Sequence, residues 1–260
     1  MDRMRRAIGI GGLCGLLGLA AQAGCGPAPG SPRRLAVAAA SDLQVALPEV
    51  VDAYRQATGV EVEASFGATG QLASQIRQGS PVDLLLAANR SYVDDLARSG
   101  EIRPDSVRPY AVGSLVLAVR AESTGLVRSL ADLARPEVAR VAIANPEVAP
   151  YGAAARQALR RAGLWGAVEP KLAVAGSVRL ALEAVRGGNA DAGLVGRSLV
   201  AADAVAVVEV DPKLYDPIVQ GLGVVASTPR GDEARQFSDF RLGDEGQAIL
   251  ARHGFGPPPR

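Results

Sequence analysis

LAVAAASDL, at residues 35–43, is the stretch of the chain that decides the fold. Its first six residues, Leu35–Ala40, are uninterrupted and apolar, which predicts a buried strand of the kind found in parallel sheets. Ser41 ends this strand and is suited to cap a helix, and apolar residues recur at helical spacing through residues 43–54. The sequence therefore predicts a buried strand that leads directly into a helix.

The same alternation continues after this first unit. A strand is predicted at residues 60–65, a loop at 66–70, a helix at 71–78 and a third buried strand at 82–87. This is the βαβαβ beginning of a doubly wound α/β sheet, in which ligands bind beyond the carboxyl ends of the strands.

The remainder of the chain predicts a second α/β lobe with largely parallel strands. After a loop at residues 104–109, strands are predicted at 114–120, 141–144, 172–174, 192–195 and 205–210, with helices at 152–162 and 178–186. Residues 218–227 then cross back, and a single helix at 237–253 packs on the first lobe. We therefore expect one lobe from residues 35–112 plus 216–260 and another from 113–215, joined by two hinge crossings around a central cleft.

The amino terminus has the pattern of an export signal. Residues 1–23 combine early arginines with a short apolar run and a small-x-small ending at Ala23, and residues 24–34 form a tether rich in Gly and Pro. Cys14 would leave with the signal and only Cys25 could remain, so no intramolecular disulfide can form in the mature chain. Acylation at Cys25 and ordinary cleavage after Ala23 are both compatible with the sequence, and a lone thiol outside the cytosol favours the lipid anchor. Either way the protein is expected on the periplasmic or extracytoplasmic side.

Composition excludes several classes of partner. The 260 residues are 48% hydrophobic and 21% charged, and the net charge is +1. No overall field therefore recruits nucleic acid or an anionic membrane. We expect a monomer that contacts a membrane only through an anchor at Cys25, and any anion site must be local.

Such local sites are indicated where strands lead into helices. Residues 40–42, 67–70, 150–152 and 176–178 each place glycine or a small hydroxyl residue before a helix start. Helix beginnings offer unpaired N–H groups and the positive end of a dipole, so several in one cleft can hold an anion without a cationic side chain. Each loop taken alone is more simply an ordinary N-cap, and only the set of four favours a shared anion site.

Five stretches carry a resemblance to a known family. They are AAASDL at 38–43, SFGATG at 65–70 with LASQI at 72–76, GSPVDL at 79–84, NPEVAPYG at 145–152 and SVR at 177–179. In order and spacing, over residues 35–255, the chain resembles the periplasmic molybdate-binding proteins. The resemblance implies a type II periplasmic-binding fold. It also implies hydroxyl and amide donors from Ser41 and Thr69, and backbone amides from Tyr151 and Val178, whose side chains would be loosely constrained. Thr69 replaces the more usual Ser and keeps the hydroxyl.

One position departs from the family pattern. Some members place an anion-binding Tyr after the strand equivalent to residues 192–195, where this chain has Gly196 followed by Arg197. Both are additional site candidates: Arg197 either replaces the missing donor or is a solvated surface residue. Asp42 would repel an anion, so we interpret it as structural, with contacts between the lobes as the alternative.

Enzyme chemistry is not indicated. His253 is the only histidine and lies near the C-terminus, no G-x-S-x-G elbow precedes a helix, and protein ligands for a metal cation are lacking. No cofactor is expected. No Walker-type loop occurs, so a separate ABC permease and ATPase are implied. We expect a non-enzymatic importer subunit that binds molybdate or tungstate. A receptor for sulfate or phosphate, or a sensing module without transport, remains open.

Overall fold

The computed structural model describes residues 34–200 and 205–259, and Arg34–Arg260 form one compact unit. The predicted signal peptide, the tether as far as residue 33 and Cys25 lie outside the described residues. Two mixed five-stranded sheets organise the compact unit, with strand orders β2-β1-β3-β10-β4 and β7-β6-β8-β5-β9. The predicted α/β class is confirmed.

The strands alternate with helices along most of the chain. The strands are β1 (Leu35–Ala40), β2 (Val62–Gly67), β3 (Leu84–Ala87), β4 (Arg108–Gly113), β5 (Leu115–Val119), β6 (Val141–Ala144), β7 (Leu172–Ala175), β8 (Ala192–Gly196), β9 (Ala206–Glu209) and β10 (Ile218–Val224). The α-helices are α1 (Ala46–Thr58), α2 (Thr69–Arg77), α3 (Arg90–Ser99), α4 (Pro150–Arg161), α5 (Trp165–Val168), α6 (Val178–Arg186), α7 (Gly231–Leu242) and α8 (Asp244–Arg252). Short 3-10 helices include Ser41–Leu43 and Arg197–Leu199.

Each sheet has a parallel half and an antiparallel half. β1 pairs in parallel with β2 and β3, and β6 pairs in parallel with β7 and β8. β10 is antiparallel to β3 and β4, and β5 is antiparallel to β8 and β9. The sheets are therefore less parallel than expected, because β5 and β10, the strands that follow each change of sheet, are antiparallel to both of their neighbours.

β3 and β5, two wholly apolar strands, lie in the interior of their sheets, as their sequences predict, whereas the equally apolar β7 lies at a sheet edge and is only partly buried. All five residues of β5 and all four of β3 are buried. β4 was not predicted, because Pro109 indicated a loop; the strand lies at the edge of its sheet, where a proline costs no hydrogen bond.

The C-terminal region differs from the single predicted helix. α7 ends at Leu242 and α8 begins at Asp244, and Gly243 between them has an extended backbone with φ −71° and ψ 173°. Asp244 and Glu245 follow this glycine, and acidic residues favour the first turn of a new helix.

Candidate functional site

The carboxyl ends of two parallel strands bring Ser41 and Thr69 to one edge of the first sheet. Ala40, the last residue of β1, is opposite Gly67, the last residue of β2. Ser41 begins the 3-10 helix that follows β1, and Thr69 begins α2, which starts two residues before the predicted position. Ser41 and Thr69 therefore each begin a helix, and the strands that precede these two helices are neighbours in the sheet.

The Thr69 hydroxyl is oriented by a buried backbone group. Its Oγ1 accepts a hydrogen bond of 3.0 Å from the N–H of Ala88, which follows β3, and Thr69 is only 1% exposed. Because Oγ1 is the acceptor in this contact, its own proton is free to donate. Ser41 is likewise buried, and its hydroxyl forms no hydrogen bond to the residues that the structure describes.

The second sheet repeats this arrangement with Tyr151 and Val178. Ala144 at the end of β6 is opposite Ala175 at the end of β7, and the Asn145 N–H donates to the Ala175 carbonyl at 2.7 Å. Tyr151 is the second residue of α4, and Val178 is the first residue of α6. Two helices thus begin close together at this edge also.

Packing brings the two edges together. Ala40 and Ala68, which precede Ser41 and Thr69, belong to the same apolar cluster as Ala149, Tyr151 and Val178. α6 also packs against the 3-10 helix Ser41–Leu43. The four residues that the resemblance selected are therefore grouped around one buried region, and none is more than 5% exposed.

A direct backbone bond also crosses between the two edges. The Gly70 N–H, in the first turn of α2, donates to the Val148 carbonyl at 2.8 Å. A Cβ at Gly70 would lie 3.0 Å from that carbonyl oxygen, so only glycine fits here without displacement. The two sides of the region are in contact.

Three of the four helix starts lack a side-chain cap. Alanines 40, 68 and 149 occupy the N-cap positions, and none of them can accept from the first-turn amides. Ser177 is the exception, since its Oγ accepts from the Leu180 N–H at 3.3 Å. A buried helix start without a cap needs another acceptor for its N–H groups. Ser41 and Thr69 are not N-caps, so the ordinary-cap interpretation fails at both.

The side chain of Tyr151 is more constrained than its predicted backbone role implied. It is 1% exposed, and its hydroxyl accepts from Gln220 Nε2 at 3.5 Å. A Cβ at Gly196 would lie 3.1 Å from the Tyr151 ring, and one at Gly113 would overlap the hydroxyl. The Tyr151 ring therefore fills the space beside Gly196, which leaves no room there for a larger residue.

Arg197 is engaged elsewhere. Its guanidinium forms an ion pair with Glu209 of β9, and its aliphatic part packs so closely on Gly254 that a Cβ there would lie 2.7 Å from Arg197 Cγ. The Arg197 side chain is 33% exposed. This is the environment of a surface arginine, the alternative that the sequence left open.

Asp42 joins elements from both sheets. It is fully buried; its Oδ2 accepts from Gln220 Nε2 in β10, and its main-chain carbonyl accepts from Ser198 Oγ at 2.8 Å. Burial raises the pKa of Asp42 to about 6, against the opposing effects of hydrogen bonds from Gln220 and Tyr151. Sequence reasoning missed Gln220, because a lone Gln in an apolar strand gives no signal of its partner.

Residues 34–200 and 205–259 contain no group of His, Cys, Asp and Glu that could hold a metal ion. Within the same ranges, every helix is too short or too polar to cross a membrane.

Comparison with known proteins places the chain in a family. The sequence model of the bacterial extracellular solute-binding proteins matches residues 35–256, nearly all of the compact unit. The chain belongs to this family. Solute-binding proteins of this kind lie outside the cytoplasm and have a binding role rather than an enzymatic one.

Individual solute-binding proteins resemble the chain along most of its length. It is 32% identical to molybdate-binding protein ModA of Azotobacter vinelandii, over 98% of each chain. It is 30% identical to the putative ABC transporter substrate-binding lipoprotein YvgL of Bacillus subtilis, over 85% of each. The solved structure of the Azotobacter vinelandii periplasmic molybdate-binding protein superposes with a TM-score of 0.81 at 28% identity, covering 87% of this chain and 100% of that one. The predicted type II periplasmic-binding fold is confirmed.

Proposed function

We propose that the chain is the extracytoplasmic solute-binding subunit of an ABC importer and that it captures molybdate or tungstate. Ser41 and Thr69 would donate from hydroxyls and amides, and Tyr151 and Val178 from backbone amides. The observation that carries the proposal is the meeting of buried helix starts, three of them with alanine at the N-cap, around one region. Relatives named for molybdate binding support the choice of ligand.

Neutral donors suit a dianion that must be released again. A buried dianion is costly to desolvate, so its oxygens need hydrogen bonds from all sides. Amides at helix starts supply these bonds together with the positive end of the dipole. Ser41 and Thr69 each add a donor that the backbone lacks.

We also propose that the two sheets are the cores of two lobes, residues 35–112 plus 216–260 and residues 113–215. The chain passes between them near residues 113–114 and again near 215–217. The Gly70 to Val148 hydrogen bond belongs to the closed arrangement of these lobes. Opening at the crossings would admit the ligand, and closure would surround it.

Transport by an ABC importer requires further subunits. We infer a membrane permease and an ATPase of the ABC class, and we infer export by residues 1–23 with a lipid anchor at Cys25. The lipoprotein name of the Bacillus subtilis relative supports the anchor. Radiolabelled palmitate incorporation into the wild-type chain and into Cys25→Ala would test it, with incorporation expected only in the wild type.

Calorimetric titration of the mature domain tests the ligand. We expect saturable binding of molybdate and tungstate, with sulfate and phosphate at least about 100-fold weaker because cavity size selects among tetrahedral anions. Ser41→Ala should weaken binding about tenfold or more through loss of a hydrogen bond to a charged ligand. Ser91→Ala, at an exposed helix position, is the matched control.

The outcomes distinguish the proposed function from its two alternatives, a general oxyanion receptor and a sensing module. Equal affinity for sulfate would reject the choice of molybdate and favour a general oxyanion receptor. Absence of binding for every oxyanion would reject the proposed function. Tight binding by a protein whose deletion leaves molybdate uptake by cells unchanged would favour the sensing module.

A further inference from the structure

A group of four buried polar residues lies behind the proposed oxyanion site. This buried polar cluster consists of Asp42, Tyr110, Gln220 and Arg241, each no more than 1% exposed. Among the residues that the structure describes, nine buried side-chain atoms have no hydrogen-bond partner, and six of them belong to this cluster. The concentration at one place calls for a physical explanation, since buried polar groups are normally paired.

Arg241 is the most unusual member. All three of its guanidinium nitrogens lack a hydrogen-bond partner among the described residues, and the guanidinium carbon lies 3.4 Å from the centre of the Tyr110 ring. Packing of Gly246 against its backbone, and a 3.1 Å hydrogen bond from Gln247 Nε2 to its carbonyl, fix the position of Arg241. A buried cation without hydrogen bonds is costly, so the nearby negative charge that offsets this cost matters.

The electrostatic effect of Arg241 reaches Asp42, the residue that follows Ser41. Its charge lowers the pKa of Asp42, although burial dominates and raises that pKa to about 6 overall. Burial lowers the pKa of Arg241 to about 10, so both groups are charged at neutral pH. Asp42 directly follows Ser41, and Gln220 links Asp42 to the Tyr151 hydroxyl. The charge of Arg241 therefore acts on a residue that adjoins the proposed site.

Other charged groups near Asp42 are already paired. On α6, which packs on Ser41–Leu43, Arg179 pairs with Glu183, and on the neighbouring 3-10 helix Arg197 pairs with Glu209. The hydroxyls of Tyr110 and Tyr151 stay protonated, because burial raises the pKa of each. Arg241 is therefore the cation suited to offset Asp42.

We propose that Arg241 is a positioning residue of the oxyanion site, whose buried positive charge offsets the negative charge of Asp42 so that a doubly negative ligand can bind beside Ser41. The inference rests on the proposed function. Asp42 connects the two sides of the site through Gln220 and Ser198, and Arg241 removes the repulsion that the Asp42 carboxylate would otherwise introduce. Interior charges are weakly screened, so the effect does not require contact between Arg241 and the ligand.

A double-mutant cycle measured at pH 8.5, where Asp42 stays ionised, tests this role. Molybdate affinity is titrated for wild type, Arg241→Met, Asp42→Asn and the double variant. Arg241→Met should bind about tenfold more weakly and Asp42→Asn about tenfold more tightly, and the double variant should lie within about threefold of wild type. Arg235→Met removes the same charge from the exposed side of α7 and is the control, expected to match wild type.

The pattern of the cycle distinguishes the possible outcomes. Equal affinity of wild type and folded Arg241→Met would overturn the inference, and so would a double variant as weak as Arg241→Met. If Arg241→Met fails to fold, Asp42→Asn and the double variant still decide: a tenfold loss between them supports the inference, and equal affinities overturn it. A wild type that binds no oxyanion refutes the proposed function instead.

Discussion

Replacement of Thr69 by Val tests whether its hydroxyl holds the ligand. Val keeps the shape of Thr but removes Oγ1, the atom that accepts from the Ala88 N–H at 3.0 Å. A hydrogen bond to a charged ligand contributes about 1.5–3 kcal/mol, so molybdate affinity should fall roughly 10- to 150-fold.

Thr69→Val should also lower the stability of the ligand-free protein. The Ala88 N–H would be left buried and unpaired, which costs about 1–3 kcal/mol. For a chain of this size each kcal/mol lowers the Tm by about 2–4 °C, so Thr69→Val should melt roughly 2–12 °C below wild type.

Titration calorimetry and thermal unfolding separate the two effects. Thr69→Ser keeps the hydroxyl and should bind within about threefold of wild type, while losing about 1 kcal/mol of stability with its methyl group. Thr124→Val, at an exposed position, should change neither quantity. If folded Thr69→Val binds molybdate as tightly as wild type, the assignment of Thr69 to the site is refuted.

Three further predictions follow from close contacts and from burial. Gly70→Val should push α2 away from the Val148 carbonyl and weaken molybdate binding about tenfold or more without lowering the ligand-free Tm. Small-angle scattering of this variant should show no ligand-induced compaction, and compaction equal to that of wild type would contradict the prediction. Gly152→Ala should cost about 1–3 kcal/mol in urea unfolding, because its Cβ would overlap the Ala144 carbonyl; a cost near zero would show that α4 can shift. The raised pKa of Asp42 means that the folded state prefers its protonated form. Wild type should therefore lose about 3 kcal/mol of stability relative to Asp42→Asn as the pH rises from about 4 to about 6. Parallel curves of stability against pH for the two proteins would reject the raised pKa.

The sequence predicted the elements whose signals are local. Uninterrupted apolar residues marked β1, β3 and β6, and the Ser177 cap marked the beginning of α6, which the structure places at the predicted residues. β4 was hidden by Pro109, because an edge strand tolerates a proline that a central strand would not. The break at Gly243 was missed because an isolated glycine is tolerated inside a helical pattern.

Some residues of the candidate site could be predicted from the sequence and others could not. A recurring local pattern marked the four loops that follow strands, and the resemblance to the molybdate-binding proteins selected Ser41, Thr69, Tyr151 and Val178 within them. Gln220 and Arg241 could not be selected in this way. Gln220 acts through Asp42, which is 178 residues away in the sequence, and Arg241 packs on the ring of Tyr110 in β4. Only the folded chain brings these groups together.

Crystals grown with tungstate give the most direct test of the central claim, because tungsten scatters anomalously. We predict one strong anomalous peak between the two sheets, with the surrounding oxygens within hydrogen-bond distance of Ser41 Oγ, Thr69 Oγ1 and the amides of Tyr151 and Val178. A peak bound elsewhere, or bound by the guanidinium of a surface arginine instead of these four residues, would contradict the account.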